Sequence, residues 1–142
     1  KFYFSLKPNN GFMQQNYLDF QVGNWVLYRN EGNYCTIKET QPQLILKGAL
    51  HEYKCTFDRI ARIEITKDKL QVCGFNYNYP QFYKISTNDI FISVIFISSG
   101  IYHLYKDEEY VCQVQYIHEV QNAYYGLTGE MCIGNLFGVK EG

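Results

Sequence analysis

Apolar positions change their period several times along the chain, and each change marks an element. Phe2, Phe4 and Leu6 alternate with Tyr3 and Ser5, which predicts a half-buried strand ended by Pro8-Asn9-Asn10-Gly11. Residues 12–18 hold no firm period and read as an arm or a linker. From residue 19 the pattern sharpens. Residues 22–28 read as a strand, 30–33 as a tight turn and 34–38 as the returning strand. Residues 43–50 and 52–57 are the next strands, joined near Gly48 and His51. Such a run of short strands and tight turns predicts a small, bent sheet of the SH3-like barrel kind.

The period then shifts. Thr66 stands as an N-cap, Asp68 suits a first turn and Gly74 suits a C-cap, so residues 67–73 predict a short helix, with a strand as the competing reading. Residues 76–80 read as a loop carrying Tyr77 and Tyr79. Residues 82–85 read as a strand, and the nearly continuous apolar run 90–97 predicts a strand covered on both faces. Residues 101–105 and then 110–116, where Tyr110, Cys112, Val114 and Tyr116 alternate, complete an antiparallel meander.

That meander feeds the clearest helix in the sequence. Tyr116, Ile117, Val120, Ala123, Tyr124 and Leu127 form one apolar stripe, and His118, Glu119, Gln121 and Asn122 fall elsewhere. Gly129 closes the helix in a left-handed cap. Residues 130–142 contain three glycines and are expected to fray. The whole reads as a single α+β domain of mainly antiparallel strands: an SH3-like small barrel, a short helix, a β-meander and a C-terminal helix.

Composition narrows the function classes. The 142 residues carry 14 tyrosines and 10 phenylalanines, a bias that suits sheet. The formal net charge is -1, which argues against holding duplex DNA by phosphate neutralisation. Five dispersed cysteines, with no close pair, read as free thiols in a reducing cytoplasm. No apolar run is long enough to span a bilayer, and no membrane partner is expected.

Chemistry-bearing motifs are few. Nucleophile-elbow, zincin and phosphate-loop motifs are absent from the sequence. His51 and Cys55 share a strand face but supply two ligands where a metal needs three or four. No cofactor, metal or catalytic residue is therefore expected. His118 tempts as a proton-transfer group, yet no partner is legible beside it, and a packed histidine bonded to backbone is the simpler reading. The adjacent amides of Gln121 and Asn122 suit hydrogen bonds to a neighbouring strand, a loop or a partner, and a structural use is expected, since a helix laid on a sheet faces unpaired edge groups.

Three segments carry a family resemblance. Val22-Gly23-Asn24-Trp25-Val26 comes first, and Ile63-Glu64-Ile65-Thr66 leading to Cys73-Gly74-Phe75 comes second. The third is the run from Tyr116-Ile117-His118-Glu119-Val120-Gln121-Asn122-Ala123-Tyr124 to Leu127-Thr128-Gly129-Glu130. In this order they resemble a group of small proteins encoded in Bacteroides-type gut bacteria and their phages or mobile elements. That group closes on Y-x-H-x-L-Q-N-x-Y-x-x-L-T-G-E. Residues 1–18 extend beyond the group's usual start, and Ala61, Arg62, Lys67 and Lys69 depart from its middle segment. The resemblance implies a bacterial or phage home and no particular activity.

The expected function is that of a non-enzymatic binding or accessory protein acting through protein contacts. Loop tyrosines Tyr77 and Tyr79, with Trp25 and Tyr28 of the first hairpin, form the candidate surface, since tyrosine and tryptophan suit interfaces. The alternative is a nucleic-acid-binding small barrel using Lys54, Arg59, Arg62, Lys67 and Lys69, interleaved with Glu52, Asp58, Glu64 and Asp68. An enzyme built on His118 ranks last.

Overall fold

In the computed structural model, residues 20–132 and 134–137 are described. The strand expected at residues 2–6 and the arm after it lie outside them. The described chain is α+β and mostly antiparallel. Strands β1 (Trp25–Tyr28), β2 (Asn33–Glu39), β3 (Leu44–Lys47) and β4 (Glu52–Cys55) form a meander. A 3-10 turn over Phe57–Arg59 then returns the chain to β5 (Ile60–Ala61), which pairs with β1. The first sheet thus has the order β4-β3-β2-β1-β5, and its two end strands do not close it into a barrel.

Helix α1 (Lys67–Val72) follows, with the Thr66 hydroxyl accepting from the Lys69 N–H at 3.3 Å. Gly74, at φ +96°, ends it as expected of a left-handed position. The expected loop after it is instead a hairpin: β6 (Asn76–Asn78) pairs with β7 (Gln81–Ile85). Strands β8 (Phe91–Ser98), β9 (Ile101–Lys106) and β10 (Glu109–Val114) complete a second sheet in the order β10-β9-β8-β7-β6. Helix α2 (Ile117–Thr128) closes the fold, and Gly129 (φ +79°) donates its N–H to the Tyr125 carbonyl at 2.8 Å.

A short bridge joins the sheets. The Ile65 N–H donates to Gln115 O at 3.2 Å, the Ile117 N–H donates to Ile63 O at 2.8 Å, and Glu64 pairs with Tyr116. The chain after β5 therefore continues as the neighbour of the chain after β10. Two cores result. One lies inside the first sheet, built on Val26, Cys35, Ile37, Leu44, Leu46 and Ile60. The larger one holds α1, α2 and the inner face of the second sheet, with Trp25 and Tyr34 reaching in from the other face of the first.

Three expectations about this part of the chain are corrected. The apolar run on β8 is covered on both faces only in its first half: Ile92, Ser93 and Val94 are buried, whereas Phe96 and Ile97 near its end are exposed. Tyr110, Cys112 and Val114 do not share one face. A register shift between Tyr110 and Cys112 sets Tyr110 opposite Tyr105 and Cys112 opposite the buried Leu104. Nor does the tail fray at residue 130. Cys132 and Leu136 are buried, and the Phe137 ring meets Trp25 edge-on at 4.9 Å.

Candidate functional site

The surface expected of the first hairpin does not form. Trp25 is 3% exposed and Tyr28 is 7% exposed, because β1, like β2, contributes to both cores. Tyr28 stacks at 4.5 Å on Tyr53 and its oxygen accepts from the Asn30 amide at 3.1 Å. The other two residues of that surface are at the surface: Tyr79 is 80% exposed and Tyr77 is exposed beside it. The Lys67 ammonium sits 4.4 Å from the Tyr77 ring centroid, and Tyr77 packs at 4.7 Å on Phe82.

The five cations of the nucleic-acid reading divide among different elements. Lys54 on β4 and Arg59 on the 3-10 turn are exposed, and Lys67 is occupied by Tyr77. Arg62 is half-buried, its guanidinium 4.8 Å from the Tyr116 ring centroid. Lys69 is buried at 7% exposure, donating to Glu64 O at 3.5 Å and standing 5.3 Å from the Tyr34 ring. Lys69 therefore offers no charge to a nucleic acid, and the expected group of five is corrected to a smaller one.

Helix α2 shows what its amides are for. The Gln121 side chain accepts from the Trp25 N–H at 2.9 Å and donates to Gly23 O at 3.3 Å, and the Asn24 amide donates to Asn122 Oδ1 at 2.9 Å. These bonds satisfy the entry of β1, where the strand leaves its ladder. His118 lies on the same side and is fully buried, its ring 4.5 Å from Phe20. The backbone hydrogen bond expected of it is not made: neither ring nitrogen has a partner among the described residues. Burial, helped by the nearby Arg62 charge, pushes its pKa down to about 3, so the imidazole is neutral and closed off from any substrate.

Sequence reasoning missed an apolar row on the outer side of the second sheet. On the second sheet, Phe82, Val94 and Leu104 stand in register on the inner side, where both helices pack. Their neighbours Tyr83, Ser93 and Tyr105 stand in register on the outer side, and Tyr105 pairs with Tyr110. Tyr83 stacks on Phe91 at 5.7 Å, and Tyr110 meets both His103 (5.0 Å) and Tyr105 (5.8 Å) edge-on. Ile85 and Tyr110, at the two ends of this row, are more than half exposed. The signal lay in strands apolar at successive positions rather than at alternate ones. It was legible, but it read as burial on both faces.

All five cysteines are free, and the described residues hold no cluster of three or more histidines, cysteines or carboxylates able to grip a metal. Among the described residues no helix is long and apolar enough to cross a membrane. Comparison with known proteins brings no match: no family model, no curated protein and no solved structure resembles the chain.

Proposed function

We propose that the chain is a non-enzymatic binding module, working in the cytoplasm through protein contacts in the service of a phage or mobile element. One observation carries this reading: the outer face of the second sheet. An antiparallel sheet open on one side ordinarily turns polar residues outward. This one carries Tyr83, Phe91, Ile95 and Tyr105, all partly exposed, and the exposed Tyr110 around the small buried Ser93, with both helices on its other side. A contiguous aromatic patch of that kind marks an interaction site. The strand order of the first sheet, with a 3-10 turn before its fifth strand, supports an SH3-like reading of that half. Capture from host lysate at moderate salt tests the function. The wild-type chain is expected to retain a protein that a Tyr105→Ser/Tyr110→Ser variant loses, and retention of nucleic acid alone overturns the reading.

A second reading rests on Lys67 poised over Tyr77 beside Tyr79, an ammonium with two exposed rings of the kind that stacks single-stranded bases. It requires binding that weakens steeply with salt. Flat titrations with single-stranded and duplex probes at low salt remove it.

A further inference from the structure

Cys73 and Cys132 are 59 residues apart in the chain and meet in the larger core. The Cys132 thiol donates to the Cys73 carbonyl at 3.3 Å. The backbone beyond Cys132 is seated directly on the end of α1: a Cβ at Gly134 would lie 2.3 Å from Val72 O and 2.7 Å from the Cys73 Cα. No side chain fits there, so glycine lets the tail bring Cys132 against the helix cap. Lys84 completes the cluster. Its ammonium lies 2.7 Å from where a Cβ of the exposed Gly74 would stand, and 5.8 Å from the Tyr124 ring centroid.

We propose that Cys73 and Cys132 are a peroxide-sensitive thiol pair, whose oxidation to a disulfide fastens the C-terminal segment to the end of α1. The roles of the two sulfurs differ. The Lys84 ammonium stands on the Cys73 side, beside Gly74, and favours a thiolate there, while burial opposes one at Cys132. Cys73 is therefore the attacking sulfur and Cys132 the resolving one. The Cys73 thiolate attacks one oxygen of hydrogen peroxide, the O–O bond breaks, and the departing hydroxide takes the thiol proton to leave as water. Cys73 is now a sulfenic acid. The Cys132 sulfur then attacks the Cys73 sulfur, and the hydroxide expelled carries away the Cys132 proton as a second water. Two thiols have lost two electrons and peroxide has gained them. Each thiol is 1% exposed, so an oxidant close to water in size suits the site better than a bulky disulfide.

The test treats the full chain with hydrogen peroxide, alkylates the remaining thiols in denaturant and maps peptides without reduction. A Cys73–Cys132 cross-link is expected, reversed by dithiothreitol, with a thermal midpoint several degrees higher in the oxidised protein. In Cys132→Ala, a sulfenic acid trapped by dimedone is expected at Cys73, and Lys84→Gln slows its formation several-fold. Oxidation of Cys55 or Cys112 with both core thiols still alkylatable overturns the proposal, as does a cross-link that forms only in urea. The pair lies on the helix side of the second sheet, so either result leaves the aromatic outer face a separate question.

Discussion

Trp25 and Val26 are successive residues of β1, point to opposite faces of the first sheet, and are both buried. Phe82 and Tyr83 stand the same way on β7, yet only Phe82 is buried. The two sheets have five strands each, so strand number does not account for the contrast. Placement does. The first sheet curls over its own core and turns its other face to α2 and the tail, where Gln121 and Phe137 receive it. Both helices lie against a single face of the second sheet, and the outer face keeps its aromatic row. Among the described residues, helices and tail cover the first sheet on the side away from its own core, and both helices cover the second sheet on one side.

The largest effects should divide along that line. Trp25→Ala and Val26→Ala, one on each face of the first sheet, are both expected to destabilise, by roughly 3–5 and about 2 kcal/mol respectively. On β9 the neighbours should part: Leu104→Ala is expected to cost about 3 kcal/mol, and Tyr105→Ala less than about 1 kcal/mol. Urea unfolding measures all four. Equal costs at Leu104 and Tyr105 would mean that the second sheet is covered on both faces, and the contrast would be gone.

The contact that docks α2 on the first sheet can be broken with one side chain. Gln121→Leu keeps most of the volume and leaves the Trp25 N–H and the Gly23 carbonyl without their partner. An unsatisfied buried donor costs about 1–3 kcal/mol, and here a donor and an acceptor of the strand entry lose their partner while the Asn24–Asn122 bond remains. A loss of about 2 kcal/mol is expected. Asn122→Ala, which removes the bond from Asn24 and leaves both Gln121 bonds in place, should cost less.

Much of this was legible in the sequence, and what was not has physical causes. Both helices and their caps stood out, because Thr66, Gly74 and Gly129 are local signals that need no tertiary partner. The amides of Gln121 and Asn122 were read correctly from helix position and polarity. Burial of Trp25 and Tyr28 was not legible. A four-residue strand shows no period that tells one covered face from two, and only the fold puts a core on each side of it. Lys69 misled because its stem is buried while its ammonium reaches a carbonyl and the Tyr34 ring. His118 and Gln121 fall off the apolar stripe of α2, and their burial follows from the fold, which lays the helix between both sheets and covers it on a second side. The bulge at residues 110–112 reverses a face that simple alternation would have kept.

His118 gives the contrast a pH dependence, because it faces the first sheet through Phe20. Its pKa is lowered in the folded protein to about 3, from 6.5 when unfolded. Between those values the unfolded chain holds one proton more than the native one. Stability therefore rises with pH in that window and falls as the pH drops below 6.5, by about 1.4 kcal/mol for each unit. Unfolding free energies at pH 7 and 5.5 should differ by roughly that amount in the wild type, and should nearly coincide in His118→Leu. Persistence of the full slope in that variant would place the titrating group elsewhere. Hydrogen exchange at pH 5.5 adds a spatial test, since the amides of β1 should lose protection before those of β8 and β9.

The smallest effect on stability belongs to the β6–β7 hairpin, and it decides which exposed aromatic surface the module uses. Tyr77 and Tyr79 contact each other at 6.5 Å, and only Tyr77 reaches inward, to Phe82. A Tyr77→Ser/Tyr79→Ser variant removes two exposed rings, and its stability should stay within about 0.5–1 kcal/mol of the wild type. Partner binding is the informative readout. If the outer face alone makes the contact, this variant captures the partner as the wild type does, whereas Tyr105→Ser/Tyr110→Ser fails. If both variants fail with stability unchanged, the partner wraps from the outer face around the β6 edge to the side where Lys67 stands over Tyr77. Loss of binding in the hairpin variant alone would shift the site to that edge and leave the aromatic row on the outer face without a role in binding.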